Sequence, residues 1–367
     1  MESISLEAPL RLDPARAWRT YLGGSRIDAL HGRAGQADGH FPEEWILSVV
    51  TARNTGREDY PNEGLSFVSG TDISLRDVIA SDPRSALGHT HADAFGATTG
   101  VLLKLLDAAE RLTIQVHPDK STAKRLFHSG FGKTECWYVL GGREIDGEKP
   151  CVYLGFKEGV TREHWRDLFI RQDIPAMLNC LHRFETEPGQ TILIEGGVPH
   201  AIGAGCLLFE IQEPTDYSIR TERTTPKGMP VPDFLCHQGL GFEAMFDCFH
   251  YEPLSERETQ KRWLYAPKPV VRTKGADSVR LIGYDKTPCF SLYRHEIEKS
   301  AAFAPQDFFF GLYVLSGSGE LECGGRKNPL RPGAQFFVPA ASRSFTVRAE
   351  RPVTLFECRG PNPGCAS

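Results

Sequence analysis

One short pattern occurs twice in this chain and restricts what it can fold into. Near the middle the chain reads Tyr138-Val139-Leu140-Gly141-Gly142, then Pro188-Gly189, then His200. Near the end it reads Tyr313-Val314-Leu315-Ser316-Gly317, then Pro332-Gly333, then Ser344. The interval from Gly189 to His200 equals that from Gly333 to Ser344. An apolar run closed by glycine, a Pro-Gly turn and a second apolar run is a strand–turn–strand signal. Two copies imply two related β-rich units. Aligned on the repeat, Glu135 faces Phe310 and His200 faces Ser344. Only the first copy carries metal-type side chains, so the first copy is expected to hold a site and the second is not.

The rest of the chain agrees with a β-rich reading. Its 36 glycines and 25 prolines punctuate short runs of Val, Ile, Phe, Tyr and Leu, as in sandwiches and barrels. Thr191-Ile-Leu-Ile-Glu195, Cys206 to Gln212, Asp307 to Leu315 and Gln335 to Val338 read as strands. Helical signals are fewer. Thr161 to Phe169 is a helix capped by Thr161, with Glu163, His164 and Asp167 on its solvated face. Thr98 to Ala109 has helix-like apolar spacing but is very apolar. The stretch 157–187 has no counterpart in the second copy and reads as a small helical insertion. These features predict a catalytic unit over 1–225, a connector over 226–263 and a second unit over 264–367.

The 367 residues suffice for two domains of ordinary size. Lys+Arg 42 against Asp+Glu 47 leaves a net charge of -5, which argues against nucleic acid or an anionic membrane as partner. No apolar run approaches the roughly 20 residues needed to span a bilayer. Met1-Glu-Ser-Ile-Ser-Leu-Glu7 lacks the basic start and apolar stretch of a secretory signal. A cytoplasmic location is the expectation. The ten cysteines form no Cys-x-x-Cys pair and lie mostly in apolar runs, so they read as buried reduced thiols.

Residues two apart on a strand share a face. If Leu112 to His117 is a strand, Gln115 and His117 project together. Glu135 begins the next apolar run, and His200 is expected at the end of another. Three strands of one barrel can then bring an amide, a carboxylate and two imidazoles to one point. First-row divalent ions accept such donors, and this set leaves room for water or substrate. The donors do not choose among zinc, iron, manganese and cobalt. His89-Thr-His91 has the same two-apart spacing but sits between Gly88 and Gly96 in a polar stretch. It reads as a surface loop.

Four motifs in order carry a family resemblance: Thr113-Ile-Gln-Val-His-Pro-Asp119, Gly132-Lys-Thr-Glu-Cys-Trp-Tyr138, Val198-Pro-His-Ala-Ile-Gly203 and Thr215-Asp-Tyr-Ser-Ile-Arg220. Together they resemble the class I mannose-6-phosphate isomerases, and in particular their shorter bacterial branch. The resemblance implies a mostly β fold of two cupin (jelly-roll) domains with a small helical insertion, the second domain lacking metal ligands. It implies a metal site, zinc in the family, on Gln115, His117, Glu135 and His200. Lys133 and Arg220 match the active-site lysine and arginine. Glu210 matches a family carboxylate, with spacing one residue looser. Thr113 matches a hydroxyl that contacts the substrate, as Lys133 and Arg220 also do. The segment 212–220 departs from the family's usual form.

The implied reaction interconverts mannose 6-phosphate and fructose 6-phosphate through an enediolate, which places the chain in carbohydrate metabolism with a sugar phosphate as its ligand. A base must take a carbon-bound proton. Glu210 and a hydroxide on the ion are the candidates, with Lys133 moving protons between oxygens. Arg220 suits an anionic oxygen or phosphate. Two alternatives belong to other classes. An iron oxygenase of the cupin type also uses two histidines and a carboxylate, but it would leave Gln115 and Lys133 without a task. A silent sugar-phosphate-binding cupin would keep the site without turnover.

Overall fold

The computed structural model describes residues 4–33, 35–54, 56–270 and 273–365. Among them the chain forms three antiparallel sheets, with helices confined to the connections. The architecture is mostly β, with two jelly-roll barrels of the cupin type and a small helical excursion.

The first barrel is built from two sheets. A seven-stranded sheet runs in the order Leu264–Tyr265, Thr191–Ile194, Glu135–Gly142, Cys206–Gln212, Leu102–Asp107, Glu43–Ile46, Ala15–Ala17. A five-stranded sheet runs Ile219–Arg220, Gln115–Val116, His200–Ile202, Cys151–Phe156, Leu181–Glu185. The second barrel is one nine-stranded sheet. Its long strands Phe310–Cys323 and Phe345–Arg359 slip register at three points, which lets them bend around the core. That core is aromatic: Phe303 and Phe345 stack at 4.8 Å beside Phe310, the counterpart of Glu135. Ser344, the counterpart of His200, is exposed.

The repeat extends into the contact between barrels. Tyr138 and Phe209 pair across neighbouring strands of the first barrel, as Tyr313 and Phe356 do in the second. The four rings meet. Phe209 lies 4.4 Å from Phe356, Tyr138 lies 5.5 Å from Phe356, and Phe209 lies 5.6 Å from Tyr313. Equivalent faces of the two units therefore bury each other, as in a two-fold dimer made within one chain.

Several sequence expectations are corrected. Thr98 to Ala109 contains the strand Leu102–Asp107, whose six residues are all buried. Burial on both faces removes the polar alternation that marks a half-exposed strand. His89 and His91 do not lie in a loop but open the helix His89–Phe95. His91 is buried, with Nε2 2.8 Å from the Thr98 carbonyl. The excursion at 157–187 holds the helices Arg162–Arg171 and Ile174–Asn179, then returns as the strand Leu181–Glu185. Thr161 caps the first helix by accepting from the His164 amide, and Glu163, His164 and Asp167 are exposed. The stretch 226–263, read as a connector, packs against the first barrel's cores. Met245, Phe246, Phe249 and Trp263 are buried, and Glu256–Trp263 is a helix with a capping box at Ser255 and Glu258. Leu10–Leu12, expected in the first unit, pairs with Gln335–Val338 of the second. The nine cysteines whose side chains are described form no disulfide, and eight of them are buried.

Candidate metal centre

Backbone register sets two of the expected donors side by side. His200 opens its strand instead of closing one, and lies directly opposite Gln115. Gln115 in turn lies opposite Arg220 on its other side. The strand holding Gln115 is only Gln115–Val116, so His117 follows its last ladder residue. Glu135 opens the strand through Gly142 in the facing sheet. His200 bridges the two sheets by packing against Trp137, 5.5 Å away. Glycine is required at 197, where φ is +89° and a Cβ would lie 2.4 Å from the His250 ring. The Gly197 amide donates to the His117 carbonyl at 2.7 Å, so this tight turn ties the two histidine segments together.

The imidazoles are set for coordination. His117 Nδ1 donates to the Tyr217 carbonyl at 2.8 Å, and His200 Nδ1 donates to the Val198 carbonyl at 2.9 Å. Each bond fixes the proton on Nδ1 and leaves a lone pair on Nε2. His200 Nε2 is buried with no hydrogen-bond partner among the described residues. Burial, then the Lys133 charge, pushes His117 down to about 3, and burial lowers His200. Both are therefore neutral, as a ligand must be. Burial alone would raise the Glu135 carboxyl, but the Lys133 charge holds it well below the usual carboxylate range. The donor atoms of His117, Glu135 and His200 lie within 4.8 Å of one another, all buried. Two neutral Nε2 atoms and an ionised carboxylate, one of them an orphaned buried acceptor, fit a divalent cation.

Charged groups continue from the donors into one cavity lined by Thr113, Gln115, Lys133, Glu135, Glu210 and Arg220. Lys133 Nζ is 3.1 Å from Glu135 Oε1 and 3.3 Å from His117 Nε2, and it donates to Ser218 Oγ at 3.1 Å. Burial lowers its pKa. Glu210 projects to the same side of its sheet as Glu135 and pairs with Lys104 at 3.2 Å. Burial, then repulsion from Glu135, pushes it up to about 7. Arg220 donates to the Ser218 carbonyl at 3.1 Å and the Leu235 carbonyl at 3.0 Å, which fixes its guanidinium at the rim. Thr113 is buried in the wall.

The sequence reading passed over the other half of this cavity. Lys104, Glu43, Arg19 and Asp216 form a buried chain of alternating charge. Lys104 lies 3.8 Å from Glu43, Arg19 lies 2.9 Å from Glu43, and Arg19 lies 3.4 Å from Asp216. Tyr21 and Trp45 each donate to Glu43 at 2.7 Å. One signal was available. Lys104 is the only charge in the run Val101-Leu-Leu-Lys-Leu-Leu106, and a buried lysine needs a carboxylate partner.

Comparisons with known proteins find matches in both barrels. The model for phosphomannose isomerase type I, catalytic domain, matches residues 62–132. The model for mannose-6-phosphate isomerase, cupin domain, matches residues 283–353. The Bacillus subtilis (strain 168) protein named probable mannose-6-phosphate isomerase GmuF is 28% identical over 268 residues, covering 70% of this chain and 76% of its own. Mannose-6-phosphate isomerase of Streptococcus mutans serotype c is 26% identical over 282 residues, covering 76% and 81%. The solved mannose 6-phosphate isomerase of Bacillus subtilis superposes with a TM-score of 0.72 at 22% identity, over 96% of this chain and 99% of that one. The apo form from Salmonella typhimurium gives 0.70 at 17% identity, over 96% and 99%. At such identities these structures establish the shared fold. With one family model matching in each barrel and curated relatives of one name spanning most of the chain, this chain is similar to the type I phosphomannose isomerases along most of its length.

Proposed function

We propose that the chain is a metal-dependent aldose–ketose isomerase that interconverts mannose 6-phosphate and fructose 6-phosphate. The observation that carries this reading is the donor set: two histidines locked as Nε2 donors beside an ionised glutamate, opening onto a cavity with a lysine, a second glutamate and an arginine. Gln115, His117, Glu135 and His200 would hold the ion, which we take to be zinc. When bound, the ion polarises the oxygens on the two reacting carbons.

The side chains supply the rest. Arg220 and Thr113 hold the phosphate end, Arg220 through paired donors. Glu210, ionised in part of the population near neutrality, takes the proton from C2 of the aldose. Lys133 gives a proton to O1 as the enediol forms. The neutral amine then takes the proton from O2, and Glu210 returns its proton to C1. Each residue ends as it began, and no proton is gained or lost. Burial tunes both groups toward neutrality, where each can give and take.

The test is metal analysis of purified protein with an assay of mannose 6-phosphate/fructose 6-phosphate exchange. Glu135→Ala is expected to lower bound metal and turnover together. Full turnover without metal would remove the ligand role. Arg220→Ala is expected to cut turnover by about 100-fold or more, with metal content near that of the parent. Tight sugar-phosphate binding without exchange would identify a binding protein instead. No helix among the described residues is long and apolar enough to cross a membrane, and a cytoplasmic location suits a sugar-phosphate substrate.

A further inference from the structure

Arginine crowds a second hollow, away from the metal centre. A groove of about 700 Å³ lies where the first strand and the helix Ser25–Leu30 meet the C-terminal barrel, and Arg11, Arg33, Arg331 and Arg351 line it. Asp13 and Glu350 also line it. Four guanidiniums against two carboxylates leave a local excess of positive charge in a chain whose net charge is -5. Arg11 and Arg331 make no side-chain hydrogen bond or ion pair among the described residues. Arg351 spends only its Nε, donating to Ser318 Oγ at 3.2 Å, and Arg33 pairs with Asp28 at 2.9 Å on the surface. Arg331 and Arg351 are exposed and Arg11 is half-buried, whereas the buried Arg19 is matched to Glu43 and Asp216. Guanidiniums with few protein partners gathered on one concave face leave their donors open to an anion.

The walls are built firmly. Arg11 sits on the strand paired with Gln335–Val338, opposite Phe336. Arg331 sits at the turn leading into that same strand. The inner wall is His31, whose ring lies against Gly333, where a Cβ would come within 2.6 Å of it. His31 Nε2 lies 3.3 Å from both Tyr313 Oη and Glu44 Oε2. A groove this size is within the range of about 300–1,000 Å³ typical of small-ligand sites. We infer that the groove binds a small phosphate-bearing anion, drawn to the unmatched guanidiniums of Arg11 and Arg331, for which pyrophosphate serves as the probe. Such a ligand bridges the first strand to the C-terminal barrel. The segment between Arg11 and Arg33 also carries Arg19 and Tyr21 into the catalytic cavity.

The experiment is a calorimetric titration of the full, metal-loaded protein with inorganic pyrophosphate. Arg220→Ala protein is run in parallel, so that binding in the catalytic cavity is set apart. Metal content is measured before and after, so that stripping of the ion does not pass as binding. One site is expected in both proteins, weakened tenfold or more in Arg11→Gln/Arg331→Gln. Arg331→Gln alone, at an exposed position, is expected to weaken it partly with an unchanged melting temperature. The control pair Arg171→Gln/Arg183→Gln, on the far barrel, is expected to leave it intact. Binding that disappears with Arg220→Ala, survives the Arg11/Arg331 pair, falls equally with the control pair, or tracks loss of metal overturns the proposal.

Discussion

Glu210 and Glu43 lie in the same buried cavity and share Lys104, yet their proton affinities move in opposite directions. Glu210 is pushed up to about 7 by burial and by Glu135. Burial also opposes the charge on Glu43, but Arg19 and then Lys104 bring it down to about 2. The first is suited to proton transfer and the second to holding charge in place. If Glu210 is the carbon base, it must be ionised to act. The rate kcat/KM should then fall as pH drops below about 7, and Glu210→Gln should lose about 10²–10⁴-fold in turnover while keeping its metal. A profile flat down to pH 5 would rule Glu210 out. The depressed pKa of Glu43 works on stability. Its contribution is complete above the ordinary glutamate pKa and is lost as pH falls through about 2. Glu43→Gln should cost about 3–5 kcal/mol at pH 7 and progressively less toward pH 2, as urea unfolding at several pH values would show.

Among the elements, the tight turn before His200 decides how well the donors are held. Gly197→Ala forces a methyl group against His250 and a strained φ on the new residue. It should destabilise by more than about 1 kcal/mol and weaken metal retention, measured by melting temperature and by competition with a chelator. The sequence displayed this layer unevenly. Of the proposed donors, Glu135 and His200 stand out in the sequence because Phe310 and Ser344 replace them in the second copy, and Gln115 and His117 because of their two-apart spacing. Ends of strands do not. His200 starts a strand because the Val198 and Gly197 turn precedes it, and turns of this kind depend on His250, far along the chain. Lys104 was hidden because its strand is buried on both faces and reads as continuous apolar sequence. His89 and His91 looked like a loop because Gly88 and Gly96 flank them, yet those glycines bound a short helix.

At the scale of the whole molecule, the repeat separates scaffold from chemistry. The second barrel keeps the strands and fills its interior with Phe303, Phe310 and Phe345 where the first keeps polar donors. Ser344→Ala should therefore leave turnover and metal content unchanged. Phe356→Ala removes the ring at the centre of the contact between barrels and should cost about 3–5 kcal/mol, read as a shift in the denaturation midpoint. The repeat predicted two related units; it did not predict that they meet through equivalent faces, because Tyr138, Phe209, Tyr313 and Phe356 read in sequence like any core ring.

The pairing of Leu10–Leu12 with Gln335–Val338 also fixes an order of events during synthesis. A ribosome has delivered almost the entire polypeptide before the first strand can find its neighbour. Arg19 and Tyr21, a few positions downstream, reach the catalytic cavity from a segment whose outer end bonds early to residues 67–69 but gains its last strand partner only then. Nascent chains released short of Gln335 should accordingly lack activity even though every proposed metal donor has already been translated.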